Sequence, residues 1–264
     1  MHVKLNGAQI HYERAGSGHP VIFLHEGIAD SRMWEPQVAA MAEHFDVICP
    51  DSRGFGKSEL PLMEWSPVDD LLALIDELGL KPAHLVGASM GSALAIDFAL
   101  DHPARIAKLV LVGSGIGGAD FGQKYPHLFD DIRAAGEARD LERMNQAEIR
   151  LFVDGPNRAP GYVSDPGIRE LVHDMNDRAL LSDFDSAPTR DLDPPAVGRL
   201  GEINASTLVV VGDSDVPMVF DATDLLMDSL PNARKAVMHD AAHMPNLEHP
   251  EEFNRLVLDF LLDR

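Results

Sequence analysis

A serine stands between two glycines in Gly87-Ala88-Ser89-Met90-Gly91, after the apolar, strand-prone run 83–86 and before a long Ala/Leu-rich helical stretch. A hydroxyl is a weak nucleophile at neutral pH and attacks a carbonyl only when a neighbouring base takes its proton. A strand, a sharp turn and a helix with the pattern G-x-S-x-G form a nucleophile elbow, which holds the serine oxygen at the mouth of a sheet. The helix N-terminus that follows is directed at it. Side chains two before and two after the serine would collide in so tight a turn, which accounts for Gly87 and Gly91. The chemistry this suits is acyl transfer, provided a base, an acid and an oxyanion site lie within reach.

Candidates for the base and acid are present. The chain has 12 histidines. One of them, His243, lies in Ala241-Ala242-His243-Met244-Pro245-Asn246, between a strand-like and a helix-like stretch. Two aspartates, Asp213 and Asp215, follow the apolar run that ends at Gly212.

Composition narrows the alternatives. With 264 residues, 45% of them hydrophobic, the chain can bury a full core in one domain. A net charge of −21 argues against nucleic acid as a partner, because phosphate binding needs clustered Lys and Arg. The surplus acid reads as a solvated surface. The single cysteine, Cys49, excludes an internal disulfide framework and lies in an apolar run, so it reads as an inert buried thiol. Neither a signal peptide nor a membrane span is visible, and a cytoplasmic location is expected. No His/Cys/Asp cluster has metal-ligand spacing, so neither metal nor cofactor is expected.

The elements that must position Ser89 follow from the hydrophobic pattern. Residues 3–5 and 9–14, joined by Asn6-Gly7, predict a hairpin. Continuous apolar runs at 20–25, 45–50, 83–86, 106–112 and 206–212 predict strands buried on both faces. A last strand is expected over Arg234–His239. Helical patterns alternate with them near 32–43, 67–78, 218–230 and 250–262, which predicts an α/β fold built on a mostly parallel sheet with helices on both faces. From 118 to 193 no strand pattern occurs, and helices are expected near 126–136, 138–154 and 166–182. This block predicts a helical lid inserted at residues 118–193 into a core made of 1–117 and 194–264.

With these motifs in this order, the chain resembles the α/β-hydrolase family over nearly its whole length, apart from a poorly matched lid. The resemblance implies an eight-stranded sheet and makes Ser89 the nucleophile, His243 the base and Asp215 the acid. Gly212-x-x-Asp215-x-Pro217 carries the acid's spacing, while Asp213 reads as a turn-stabilising residue. It also implies an oxyanion hole from the backbone N–H groups of Met90 and Gly27. His25 is expected to bridge loops, Asp51, Arg53 and Ser58 to pin the turns at the top of the sheet, and His239 and His249 to be structural. Arg53 as a substrate clamp remains the alternative. Pocket candidates are Glu26, Ile28, Met144, Phe152, Met175 and Met244. Glu26 departs from the family pattern, standing where a glycine often follows the histidine. We take its side chain to point away. The alternative is that it enters the pocket, where an ionised carboxylate would oppose an oxyanion.

The reading is a cofactor-free serine hydrolase of a small carboxylic ester or lactone, acting through an acyl-enzyme. The loop Ile28-Ala29-Asp30-Ser31-Arg32-Met33-Trp34 is similar to the enol-lactonase and small-esterase branch. Carbon–carbon bond hydrolysis of a vinylogous diketone uses the same triad and stays open. A ligand receptor with a vestigial triad and a structural or interaction module are rivals from other classes. Expected partners are a small-molecule ester or lactone and, as an open alternative, a second copy in a homodimer, with no nucleic acid and no membrane.

Overall fold

Eight strands make one sheet, in the order β1-β2-β4-β3-β5-β6-β7-β8. The strands are β1 (His2–Leu5), β2 (Ala8–Gly16), β3 (His19–Leu24), β4 (Phe45–Pro50), β5 (Ala83–Ala88), β6 (Ile106–Val112), β7 (Ser206–Gly212) and β8 (Ala233–Met238). This architecture is taken from a computed structural model, which describes residues 1–163, 165–182 and 188–264. Only the β1–β2 and β2–β4 pairs are antiparallel; every pair from β4 to β8 is parallel.

Central strands buried on both faces divide their side chains between two apolar layers by the two-residue period of a strand. Val21 and Phe23 of β3 join one layer with Trp34, Val86, Val110 and Phe253. Ile22 and Leu24 join the other with Leu71, Leu85, Phe98 and Leu109. The helices that cover the sheet are α1 (Glu35–Met41), α2 (Pro67–Glu77), α3 (Met90–Asp101), α7 (Pro217–Ser229), the short α8 (Pro245–Glu248) and α9 (Pro250–Leu261).

Between β6 and β7 lie α4 (Asp130–Glu137), α5 (Leu141–Glu148) and α6 (Pro166–Leu180), and no strand is present there among the described residues. The run expected as one helix over 138–154 is two structures. Helix α5 passes at Ile149 into a π-helical turn, Ile149–Val153, that buries Ile149, Leu151 and Val153. Phe152 lies within this turn and is half-buried, with its ring against His243; such turns are frequent at functional sites. The expected 32–43 helix also divides, into a 3₁₀ turn at Ser31–Trp34 and α1.

Strand β8 ends at Met238, so His239 is not inside it. Its side chain is exposed and binds the Asp213 carboxylate at 3.0 Å. No described helix is long and apolar enough to cross a membrane.

Candidate active site

Strand β5 delivers Ser89 into a backbone conformation of φ 48° and ψ −106°, which non-glycine residues rarely adopt. Its amide donates to Val112 O at 2.8 Å, and its carbonyl accepts from Ala93 N and Gly115 N. The flanking glycines are needed for contacts with different partners. A Cβ on Gly87 would lie 2.3 Å from Gly91 O, whereas a Cβ on Gly91 would lie 2.2 Å from Leu24 O on the neighbouring strand. The elbow is thus pressed both against itself and against β3.

The loop after β7 brings Asp215 to His243. His243 Nδ1 lies 2.9 and 3.1 Å from the two carboxylate oxygens, and both side chains are buried. Asp215 Oδ1 also accepts from the Val216 amide at 2.7 Å, which fixes the carboxylate plane. With Nδ1 donating to Asp215, Nε2 is left as the proton acceptor, the arrangement a serine base requires. Among the described residues no hydrogen bond joins the Ser89 hydroxyl to His243. Such bonds often tighten only when substrate is present.

Three devices hold the histidine loop. The His243 amide donates to Phe152 O at 3.2 Å, and the Phe152 ring packs on the imidazole at 5.1 Å between centroids. Arg158, buried, binds Glu248 at 2.8 Å, and Glu248 in turn accepts from the Ala242 amide at 2.6 Å. Gly113, at φ +51°, leaves room for the ring, since a Cβ there would be 2.9 Å from His243 Nδ1. The sequence marks Gly113 only as a break in the strand pattern. A glycine closing the strand beside the elbow strand was the signal for it.

His25 donates from Nδ1 to Glu26 O at 2.8 Å and accepts the Ser52 amide on Nε2 at 2.9 Å, so it bridges the β3 and β4 loops. Burial holds its pKa below the ordinary value, which keeps it neutral for that role. Asp51 collects the amides of Ser31 and Lys57 at 2.8 and 2.9 Å and the His11 ring at 2.9 Å. Arg53 is fully buried, paired with Asp70 at 2.5 and 2.8 Å and bound to Asn6 O at 3.0 Å, but its Nη1 has no hydrogen-bond partner among the described residues.

Glu26 corrects the expectation that it points away. It is buried, neither carboxyl oxygen has a hydrogen-bond partner among the described residues, and one oxygen lies 3.9 Å from His243 Nε2. Burial first, and the charges of Asp215 and Glu148 after it, push its pKa up to about 7 against the pull of His243. His243 is held above the ordinary imidazole value. Burial opposes its charge, but the Asp215 and Glu26 carboxylates outweigh that.

A cavity of about 1050 Å³ opens beside the elbow, with Gly27, Met90, Arg53, Asp97, Met144 and Glu148 in its wall. Of the six pocket candidates, only Met144 lies in that wall. Ile28, Met175 and Met244 are core residues in the apolar layer around Trp34. The Met175 sulfur accepts the Asp30 amide at 3.4 Å. Apolar residues at helical spacing can face a core as readily as a pocket, and here three of them do. Glu148, missed by the sequence reading, accepts from Asn176 at 2.7 Å, and its pKa is raised by burial. Among the described residues no group of three His, Cys, Asp or Glu side chains could hold a metal ion.

Residues 19–250 match the family model described as alpha/beta hydrolase fold. The chain is 35% identical to 2-hydroxy-6-oxononadienedioate/2-hydroxy-6-oxononatrienedioate hydrolase 2 of Pseudomonas putida, over 96% of this chain and 91% of the relative. It is 33% identical to 2-hydroxy-6-oxo-6-phenylhexa-2,4-dienoate hydrolase of Comamonas testosteroni, over 97% of this chain and 92% of the relative. Among solved structures it is similar to Est816, described as an N-acyl homoserine lactone degrading enzyme. That match has a TM-score of 0.81 and 29% identity, and covers 98% of this chain and 100% of Est816. A strained serine on a strand-to-helix elbow, a bidentate Asp–His pair at the same end of a mostly parallel sheet, and a family match over most of the chain agree: this protein belongs to the α/β-hydrolase family.

Proposed function

We propose that the chain hydrolyses a carbon–carbon bond beside a ketone in a conjugated keto-acid, with Ser89, His243 and Asp215 as its triad. The observation that carries this reading is the similarity, over nearly the full length of both chains, to relatives named as hydrolases of hydroxy-oxo-dienoates. The alternative of carbon–carbon cleavage therefore displaces the ester or lactone reading as the leading one.

The site has the parts the reaction needs. Ser89 Oγ adds to the ketone carbon while its proton passes to His243 Nε2, and the oxyanion is met by the N–H groups of Gly27 and Met90. With the dienol in its keto form, the enol proton having moved to the carbon beside the ketone, the C–C bond then breaks and its electron pair passes into the conjugated keto-acid as a dienolate. The carbanion so formed takes the proton from His243. Water, deprotonated by His243, releases the acid from Ser89 and restores the hydroxyl. Arg53 borders the cavity, and the Nη1 of its buried guanidinium, without a hydrogen-bond partner among the described residues, supports an anionic substrate. We assign residues 118–193 the role of a lid, since the cavity lies between α3 and the helices of that segment.

The experiment is turnover of 2-hydroxy-6-oxo-6-phenylhexa-2,4-dienoate by the purified protein, followed by loss of the dienolate chromophore and release of benzoate. No turnover beside fast cleavage of an N-acyl homoserine lactone would return the assignment to a lactonase. That second reading is favoured by the similarity to Est816 at 29% identity.

A further inference from the structure

The imidazole of His243 lies between two buried carboxyls. Asp215 occupies the Nδ1 side at 2.9 and 3.1 Å, and Glu26 the Nε2 side at 3.9 Å. A Ser-His-Asp triad uses only the first. Glu26 is too far away for a hydrogen bond to the ring and makes none with any other described residue, so its charge is not satisfied by one. At that distance between two buried side chains its effect on the ring is electrostatic, and burial weakens solvent screening. We propose that Glu26 is a positioning residue that acts through His243, stabilising the imidazolium from the Nε2 side. It makes the imidazole a stronger base than Asp215 alone would, and moves the onset of activity to alkaline pH.

The other charged groups facing Glu26 sharpen the effect. Asp215, on the loop after β7, and Glu148, at the end of α5, both repel its charge, and His243 attracts it. His25, on its own loop, is kept neutral by burial and supplies no counter-charge. Among the described residues His243 is the cation that faces Glu26, and each stabilises the charged form of the other, so the two titrate as a coupled pair.

The inference rests on His243 being the triad base but not on the substrate. It is tested by titrating the His243 ring nitrogens by NMR in the wild type and in Glu26→Gln. In parallel, the rate of Ser89 labelling by a fluorophosphonate is measured from pH 5 to pH 10, and needs no natural substrate. The wild-type midpoint is expected well above the ordinary imidazole value. In Glu26→Gln it should fall by about one pH unit or more, because the remaining carboxylate is Asp215 alone. The labelling profiles should cross, with the variant faster near pH 7, where more of its imidazole is neutral. The wild type should be faster near pH 10, where its stronger base shows. A uniform loss with the same midpoint would assign Glu26 a merely structural role and overturn the proposal. A wild-type midpoint at the ordinary imidazole value overturns it with no variant needed. If dienoate turnover fails while the midpoint shift appears, the substrate assignment falls and this one stands.

Discussion

Asp215 places both carboxylate oxygens on His243 Nδ1, while Asp213, two residues away, spends its own on exposed His239 and on the Asp240 amide. The two acids of one turn therefore have different work. Asp215→Asn should lower kcat by about 10²–10⁴, because the amide presents the wrong hydrogen-bond partner and leaves the imidazolium uncompensated. Asp213→Asn should leave turnover almost unchanged and cost at most about 1 kcal/mol of stability. Steady-state kinetics and thermal melts on both variants check this; a crippled Asp213→Asn beside a healthy Asp215→Asn would reverse the assignment.

Ser89→Ala should lose about 10⁴–10⁶ in kcat and all fluorophosphonate labelling. The folded state should be unharmed or slightly more stable, since no described hydrogen bond uses the hydroxyl. Retention of a few per cent of wild-type activity would place the nucleophile elsewhere.

Gly113→Ala tests the space behind the imidazole. The new methyl would be 2.9 Å from His243 Nδ1 and 3.4 Å from Asp215 Oδ2, on a residue whose φ of +51° already disfavours a side chain. We expect a loss of about 10² in kcat from a ring displaced by a fraction of an ångström, with about 1 kcal/mol of destabilisation. Kinetics equal to wild type would show that the ring has slack.

The placement of the site residues is legible in the sequence where backbone geometry forces residue type. Gly87, Gly91 and Ser89 are legible because a sharp elbow admits few alternatives, and the β-strand runs because burial on both faces demands continuous apolar residues. Asp215 is legible through its spacing from Gly212 and Pro217. The Glu26 orientation was not, since a side chain after a strand can turn either way and only the packed loop decides. Met175 and Met244 misled for a related reason: apolar periodicity reports burial without saying what the residue is buried against. The π turn at Ile149–Val153 also leaves no periodic mark, so one helix was expected where the chain makes a helix and a bulge.

Asp97, in the cavity wall, offers a test read from stability rather than from turnover. Burial, then the carboxylates of Asp191 and Asp101, push its pKa up to about 6, and its Oδ1 has no hydrogen-bond partner among the described residues. A carboxylate with a raised folded-state pKa destabilises the fold at pH values above that pKa. The penalty disappears below its unfolded value, near 3.8. Asp97→Asn should therefore raise Tm at pH 8 and lose that advantage as pH falls below about 4. An equal gain at both pH values would mean that the charge is not its source.

The hydrogen bond from the His243 amide to Phe152 O fastens the bulged turn of the helical segment to the backbone of the candidate base. The opposite margin of that segment is fastened as well, by Ser182 to Gly54 O, by the Trp65 amide to Pro188 O, by the Arg190 amide to Trp65 O and by the Arg190–Asp69 ion pair. Like a panel pinned along two edges, the segment carries in one of its seams the backbone of the candidate base, so whatever loosens the bulged turn is felt at the imidazole. Amide exchange should accordingly be slow at His243.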